Sequence, residues 1–308
     1  MENTLVIRRN QQFLGILFIM ISAIGFGTTP TLSAMMENAG LGIWDRLAIR
    51  YVGATLFMLP ILLYTKRSFK IPRHLLSKII FNAIFSFGLT GTLLFLAYQH
   101  TTSALATTIH FMYPLIVILL CILTGTEKIT MPVVLLALIA FAGLVIISEP
   151  WKSYSTNLIG PLLAFASAVT FAWYVMFVNN KEIKKIDGFV LIFILVLCAG
   201  IMATIIALVV KLGQKEPTTI ILSRAIPSSL VMILFSTLGP VLLFNIGNRK
   251  IGGTTSSILS MLEPITAIIL GMVVLGEQMH WTFAIGAPMI LISALTISNV
   301  KLKSANSV

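Results

Sequence analysis

The sequence predicts an all-α, polytopic membrane protein of ten transmembrane helices, built as two inverted five-helix repeats. Three observations predict it. The 308 residues are 57% hydrophobic and 10% charged, with a mean hydropathy of +1.00. A soluble domain carries about a quarter charged residues, so most of this chain must face lipid. The apolar residues fall into runs of about 20, the length that crosses a bilayer as a helix. Finally, one segment recurs: HFMYPLIVILLCILTGTE at 110–127 matches SMLEPITAIILGMVVLGE at 260–277, with Pro114 over Pro264 and Glu127 over Glu277 and no gap between them. A fixed internal period marks a chain made of two copies of one unit.

Read in order, the spans are 13–33, 44–64, 76–97, 103–123 and 131–149 in the first unit. The second unit holds 157–178, 188–210, 227–247, 254–275 and 279–299. The first span follows Arg8 and Arg9, as a cleaved signal peptide would. It is expected to be retained, because GILFIMISAIGFG at 15–27 matches the internal GPLLAFASAVTFA at 160–172. None of the runs alternates with period two, and all are too long for strands of an outer-membrane barrel. The expected division is 1–149 and 150–308. The longest connector, 65–75, is too short for a catalytic or regulatory module, and no linker-like low-complexity stretch interrupts the chain.

Basic residues set the direction. With a cytoplasmic N-terminus, fifteen lie on inner segments: Arg8, Arg9, Lys66, Arg67, Lys70, Arg73, Lys78, Lys128, Lys181, Lys184, Lys185, Arg249, Lys250, Lys301 and Lys303. Four lie on outer segments: Lys152, Lys211, Lys215 and Arg224. This positive-inside bias predicts that both termini are cytoplasmic, in a cell (inner) membrane. Five spans per unit is an odd number, so the second unit enters the membrane upside down. Weak symmetry between hydrophobic halves is a signature of secondary transporters.

The stretches LEPITAIILGMVVLGE (262–277), GAPMILISALTI (286–297), YPLIVILLCILTGTE (113–127) and FAGLVII (141–147) resemble the EamA family of the drug/metabolite transporter superfamily. The tight link AYQHTTSALATTIHF (97–111) and the pairs Ser22–Ala23 and Ser167–Ala168 are similar to it as well. The likeness covers nearly the whole chain. It implies a ten-helix carrier with a central cavity and alternating access, in a family that moves amino acids, sugars, nucleosides and other metabolites. The expected function is secondary transport of a small polar metabolite such as an amino acid, with efflux favoured by family analogy. The alternative is a membrane-embedded enzyme acting on a lipid-linked substrate, which would need a convergent pair of catalytic groups near one interface.

Glu263 is the sharpest candidate. It lies about nine residues into its span, roughly 14 Å deep at 1.5 Å per residue, near the middle of a hydrocarbon core about 30 Å thick. A carboxylate there is costly and is a functional candidate by default. It is expected either to contact substrate or a coupling proton, or to serve as a protonated hydrogen-bonding group between helices. The first unit has Tyr113 at this position, so a mechanism with two symmetric carboxylates is not expected. Pro114 and Pro264 lack the amide hydrogen that closes a helical turn, and are expected to break their helices and free the carbonyls of His110 and Ser260, either to line a cavity or as a kink for packing. His110 with Tyr113, and Ser260 with Glu263, are three apart and share a helix face. Arg50 sits near the outer end of the second span, either snorkelling to the interface or anchoring an anionic group. Arg46 and Asp45 are expected at the interface. Asn82, Trp173, Tyr174 and Asn245 are cavity candidates. Glu127 and Glu277 are expected to be structural, interacting with the dipole of the next helix or with a nearby cation. Gly25, Gly27, Gly88, Gly91 and Gly143 are expected to let helices approach closely.

Other classes are disfavoured. No GxxxxGK[ST] loop is present, so ATP is not the expected energy source, and there is no HExxH or GxSxG. His74, His100, His110 and His280 lack metal-ligand spacing, and Cys121 and Cys198 both lie in apolar runs. No metal, cofactor or disulfide framework is expected. The net charge of +11 is scattered over short connectors with no aromatic-interleaved basic face, so nucleic acid is not an expected partner. The expected partners are the lipid bilayer, a small-molecule substrate and protons as a coupling ion.

Overall fold

A computed structural model describes residues 2–152, 158–213 and 220–304. Lys215, one of the outer cations, lies outside the described residues. Among the described residues ten helices are long and apolar enough to cross a membrane: α1 Arg9–Asn38, α2 Ile43–Tyr64, α3 Arg73–His100, α4 Ser103–Thr124, α5 Met131–Lys152, α6 Ile159–Asn179, α7 Gly188–Leu212, α8 Leu222–Ile251, α9 Gly253–Leu275 and α10 Thr282–Lys303. No strand is present among the described residues.

Two helices outrun their apolar segments. α1 bends at Thr28, whose hydroxyl bonds the Gly25 carbonyl at 2.7 Å, and continues as Thr29–Asn38 with Pro30 in its first turn. The extension is stabilised by tertiary contact, because Thr31, Leu32 and Met36 are buried. α8 begins at Leu222 although Pro227 lies inside it. α3 and α8 each contain a turn of π-helix, at Ala83–Gly88 and Leu234–Leu238. Such turns accommodate one extra residue and recur at functional positions.

The packing pattern is unchanged when the halves are exchanged. α2 packs on α7, α4 on α9 and α5 on α10, so each pairs with its own counterpart. α1 packs on α8, as α3 packs on α6. Both of the latter contacts carry the same hydrogen bond. Ser22 donates to the Pro240 carbonyl at 2.8 Å, and Ser167 donates to the Thr90 carbonyl at 2.9 Å. At the α5–α10 crossing Gly143 lies against the Gly286 carbonyl and Gly286 against the Gly143 carbonyl, which brings the two backbones together.

α4 and α9 are broken rather than kinked. The first half of α4 ends at His110, turns through Phe111 and Met112, and restarts at Tyr113. In α9 the first half ends at Leu259, a 3-10 turn spans Ser260–Leu262, and the helix restarts at Glu263. Pro114 and Pro264 therefore sit in the first turn of a new helix, where the missing amide hydrogen has no helical partner to lose. Both helices end on a left-handed glycine, Gly125 (φ 62°) and Gly276 (φ 72°). Glu127 is two residues past its glycine and Glu277 one, so the ungapped register of the repeat shifts here.

Candidate functional site

On the face of the bundle opposite the chain termini the helix ends part around a cavity of about 1260 Å³. Its walls come from the end of α1, the start of α2, the end of α3, the start of α4, the end of α5, the end of α9 and the start of α10. Near mid-bundle the lining includes Arg50, Tyr51, Phe87, His110, Tyr113, Phe171, Glu263 and Pro264.

The floor is aromatic. Tyr113 meets Phe171 edge-on at 4.6 Å, and Phe171 continues to Tyr174 at 5.6 Å. Tyr174 stacks on Phe244 at 6.2 Å, beneath the lining. Asn245 donates to the Tyr174 hydroxyl at 2.7 Å. Tyr174 and Asn245 thus form the layer under the cavity and do not line it.

Glu263 opens the second half of α9, where a helix N-terminus favours negative charge. It makes no hydrogen bond or ion pair to any described residue. Arg50 lies in the opposite wall, its guanidinium carbon 5.3 Å from the Tyr51 ring centroid. Its Nε is buried without a partner, and Arg50 makes no ion pair among the described residues. His110 Nδ1 is 3.0 Å from the Ser167 hydroxyl. That hydroxyl already gives its proton to the Thr90 carbonyl. Nδ1 must then be the donor, which assigns the Nδ1–H tautomer and leaves Nε2 as an acceptor.

Several expected positions lie elsewhere. Ser260 is buried, donates to the Ser256 carbonyl at 2.9 Å and does not line the cavity. Pro114 is buried and also off the lining. Trp173 is 56% exposed on the outside of α6, where its Nε1 donates to Asn82 Oδ1 at 2.9 Å. This pair fastens α6 to α3 away from the cavity. Arg46, near the start of α2 as expected for an interfacial residue, is only 7% exposed. It bonds the Ser33 carbonyl at 2.8 Å, the Ser33 hydroxyl at 2.9 Å and Glu37 at 3.0 Å, tying α2 to the end of α1. Asp45 pairs with Lys211 at 2.8 Å.

Glu149 escaped the sequence reading. It lines the mouth, is buried, and ends the regular part of α5 in a left-handed conformation (φ 41°). Its carboxylate holds Lys152 at 2.8 Å and faces His280, in the connector before α10, at 3.5 Å. The Glu–Pro step that stops the helix was the available signal.

The opposite face, which carries the termini, is closed. Glu127 accepts the backbone N–H of Gly253 at 2.6 Å and of Thr254 at 3.4 Å. The expected partner was the dipole of the next helix or a nearby cation; the helix N-terminus it meets is that of α9, from the other half. Asn179 donates to Asn248 at 2.6 Å, and Arg249 to the Ile186 carbonyl at 2.9 Å. The 65–72 connector joins in through Arg67, 2.6 Å from Asp187. Burial pushes the Asp187 carboxyl up, but Arg67 and the backbone N–H groups of Val190 and Phe189 outweigh it and hold the group below its ordinary range. Among the described residues no three His, Cys, Asp or Glu side chains are grouped to hold a metal ion.

A bundle of ten membrane-length helices around a solute-sized cavity, open to one face and closed at the other, has the form of a membrane transporter. The comparisons agree. The profile of the EamA-like transporter family matches residues 13–149 and again 158–299. The chain belongs to the EamA-like transporter family. An "uncharacterized transporter" of Clostridium kluyveri is 22% identical over 91% of this chain and 92% of its own length. Another of Archaeoglobus fulgidus is 26% identical over 90% of this chain and 93% of its own. A solved crystal structure superposes with a TM-score of 0.80 at 15% identity, covering 94% of this chain and 98% of that one, and supports the fold alone.

Proposed function

We propose that the protein is a secondary carrier, not an enzyme, that moves a small polar metabolite such as an amino acid by alternating access. One observation carries the reading: basic Arg50 and acidic Glu263, neither in a direct ion pair among the described residues, face a single cavity from helices of different halves. A cavity that is sealed on one side and holds unpaired cationic and anionic groups is suited to a zwitterion or another small polar solute.

We take residues 1–149 and 150–308 as the two repeat units. The double family match and the exchange-symmetric packing support this division. The excess of basic residues on the termini face supports a cytoplasmic location for both termini. On that reading the cavity mouth faces outside, in a cell membrane. The efflux direction rests on family analogy alone, and protons are the proposed coupling ion because Glu263 is the cavity-facing carboxylate nearest mid-bundle.

Proteoliposomes loaded with single amino acids and other small metabolites test the reading. Saturable counterflow of at least one zwitterion, abolished by Arg50→Ala, is the expected result. No counterflow with any member of the panel, from well-folded protein, would remove the carrier assignment.

A further inference from the structure

We infer that Glu127 is the latch that holds the termini-side half of the transport path shut, and that Glu277 is its counterpart at the cavity mouth. The inference rests on the alternating-access reading and adds the residues that alternate.

The two carboxylates end equivalent helices but are engaged differently. Glu127 closes on Gly253 at 2.6 Å and Thr254 at 3.4 Å, the first residues of α9. The repeat places Ser103 and Ala104 of α4 opposite Glu277. Glu277 makes no hydrogen bond to them. It is exposed at the mouth, with its carboxylate folded against Gly271 of its own helix, and Ser103 is exposed as well. One end of the bundle is latched and the equivalent end is not, which matches a path open on one side only.

The local chemistry makes Glu127 more than a generic cap. α4 is capped by its own Thr102, whose hydroxyl accepts from Leu105 N–H at 3.3 Å. α9 is preceded at its N-cap by Gly252, which has no side chain to cap with and holds φ 89°, so its first donors depend on Glu127. A Cβ at Gly252 would run into the Glu127 carboxylate, so the glycine also keeps the docking position clear.

Behind this contact the closed half keeps polar atoms without partners. Ser256 Oγ, Asn245 Oδ1 and Asn179 Oδ1 are all buried and make no hydrogen bond. Orphaned polar atoms are rare in permanently packed interiors. Thr31 and Thr282 hold the same kind of atom on the open side, so it is the position of Ser256, not its lack of a partner alone, that points to water access in the other state. Ser256 belongs to the polar run Thr254–Ser257, whose counterpart in α4, Ala104–Thr107, already lines the open cavity at both of its ends.

The test uses full-length protein with Cys121→Ala and Cys198→Ala, and Ser256→Cys as reporter. A membrane-impermeant thiol reagent is applied from the face that carries the termini. The parent should label slowly. Glu127→Gln should label about tenfold faster, the scale of losing a hydrogen bond to a charged acceptor. Glu127→Asp, which keeps the charge on a shorter arm, should fall between them. Glu277→Gln should label more slowly than the parent, because it loses the contact that favours the opposite state. A parent-like rate in Glu127→Gln removes the latch while leaving the carrier reading intact. Should that variant fail to fold, Glu127→Asp and Glu277→Gln decide, and movement in the same direction by both refutes the inference. Absence of labelling in every background overturns alternating access itself.

Discussion

Arg50 of α2 and Glu263 of α9 face one cavity from opposite halves of the molecule without forming an ion pair. In a low-dielectric interior an unpaired charge is expensive, and an ion pair between the two would reduce that cost. Kept apart, both groups stay available to a ligand that carries the complementary charges. The pair also breaks the symmetry of the repeat, since Tyr113 occupies in α4 the place that Glu263 occupies in α9.

Glu263→Gln keeps size and hydrogen bonding but cannot ionise. If Glu263 carries a coupling proton, the variant should reach the membrane at normal levels, retain counterflow exchange and lose accumulation against a gradient. If it binds a substrate ammonium, exchange should fall as well. Full gradient-driven transport by a well-expressed Gln variant would take Glu263 out of the mechanism.

Arg50→Lys keeps the positive charge and loses the planar fork that binds a carboxylate in two places. The expected outcome is a rise in KM of about tenfold, the scale of about 1.4 kcal/mol, with folding unaffected. Unchanged KM in counterflow assays would mean that Arg50 contributes only charge or packing.

The ten helices were legible because a bilayer demands long apolar runs, and hydropathy registers them directly. Their ends were less so. Thr29–Asn38 is stabilised by packing at Leu32 and Met36, which a span-length rule does not register. The site was legible where depth and spacing combined, as for Glu263, His110 and Tyr113. It was not legible on α6, which is apolar all round: hydropathy then gives no preferred face, and Trp173 points outward while Phe171 points in. The partner of Arg46 was hidden for a related reason, because Glu37 comes from the part of α1 beyond the apolar run. Glu127 was read as a helix-end residue facing the next helix or a nearby cation; that the N-terminus it meets is α9's was not legible, because which N-terminus lies near it is a tertiary fact.

The orientation is checked at Ser68, exposed in the connector between α2 and α3 on the termini face. In a background lacking native cysteines, Ser68→Cys should resist an impermeant thiol reagent in intact cells and react after lysis. Labelling in intact cells would reverse the orientation and place the cavity mouth in the cytoplasm.

Gly143→Leu probes the α5–α10 crossing. A side chain there meets the Gly286 carbonyl, Met289 and Ile290, so the helices must separate. Overpacking of this kind costs about 1–3 kcal/mol. The variant should lose its monodisperse gel-filtration peak at a lower temperature than the parent, whereas Val133→Leu, at a partly buried site on the same helix, should not. Equal heat resistance in the two variants would show that the crossing tolerates separation.

Asp187 gives the pH prediction. It caps α7, accepting the N–H groups of Phe189 at 2.9 Å and Val190 at 3.3 Å, and it pairs with Arg67 at 2.6 Å. These contacts outweigh burial and hold its carboxyl below the ordinary value of about 3.9. A depressed carboxyl contributes stability that is fully present above the unfolded value and is lost as pH falls through the folded one. The pair is about one-third exposed on each side, so screening limits its share to about 1 kcal/mol or less. Asp187→Asn keeps a good capping residue and removes the charge, and should be less heat-stable than the parent at pH 7. The gap should close as pH falls from about 5 to below 4, where the parent's carboxyl takes up its proton, and it should shrink in high salt. Asp187→Ala loses the cap too, by about a further 1 kcal/mol, and that part of the deficit should persist at low pH. A difference between parent and Asn variant that stays constant across the range would show that the carboxylate's charge does not stabilise the closed face.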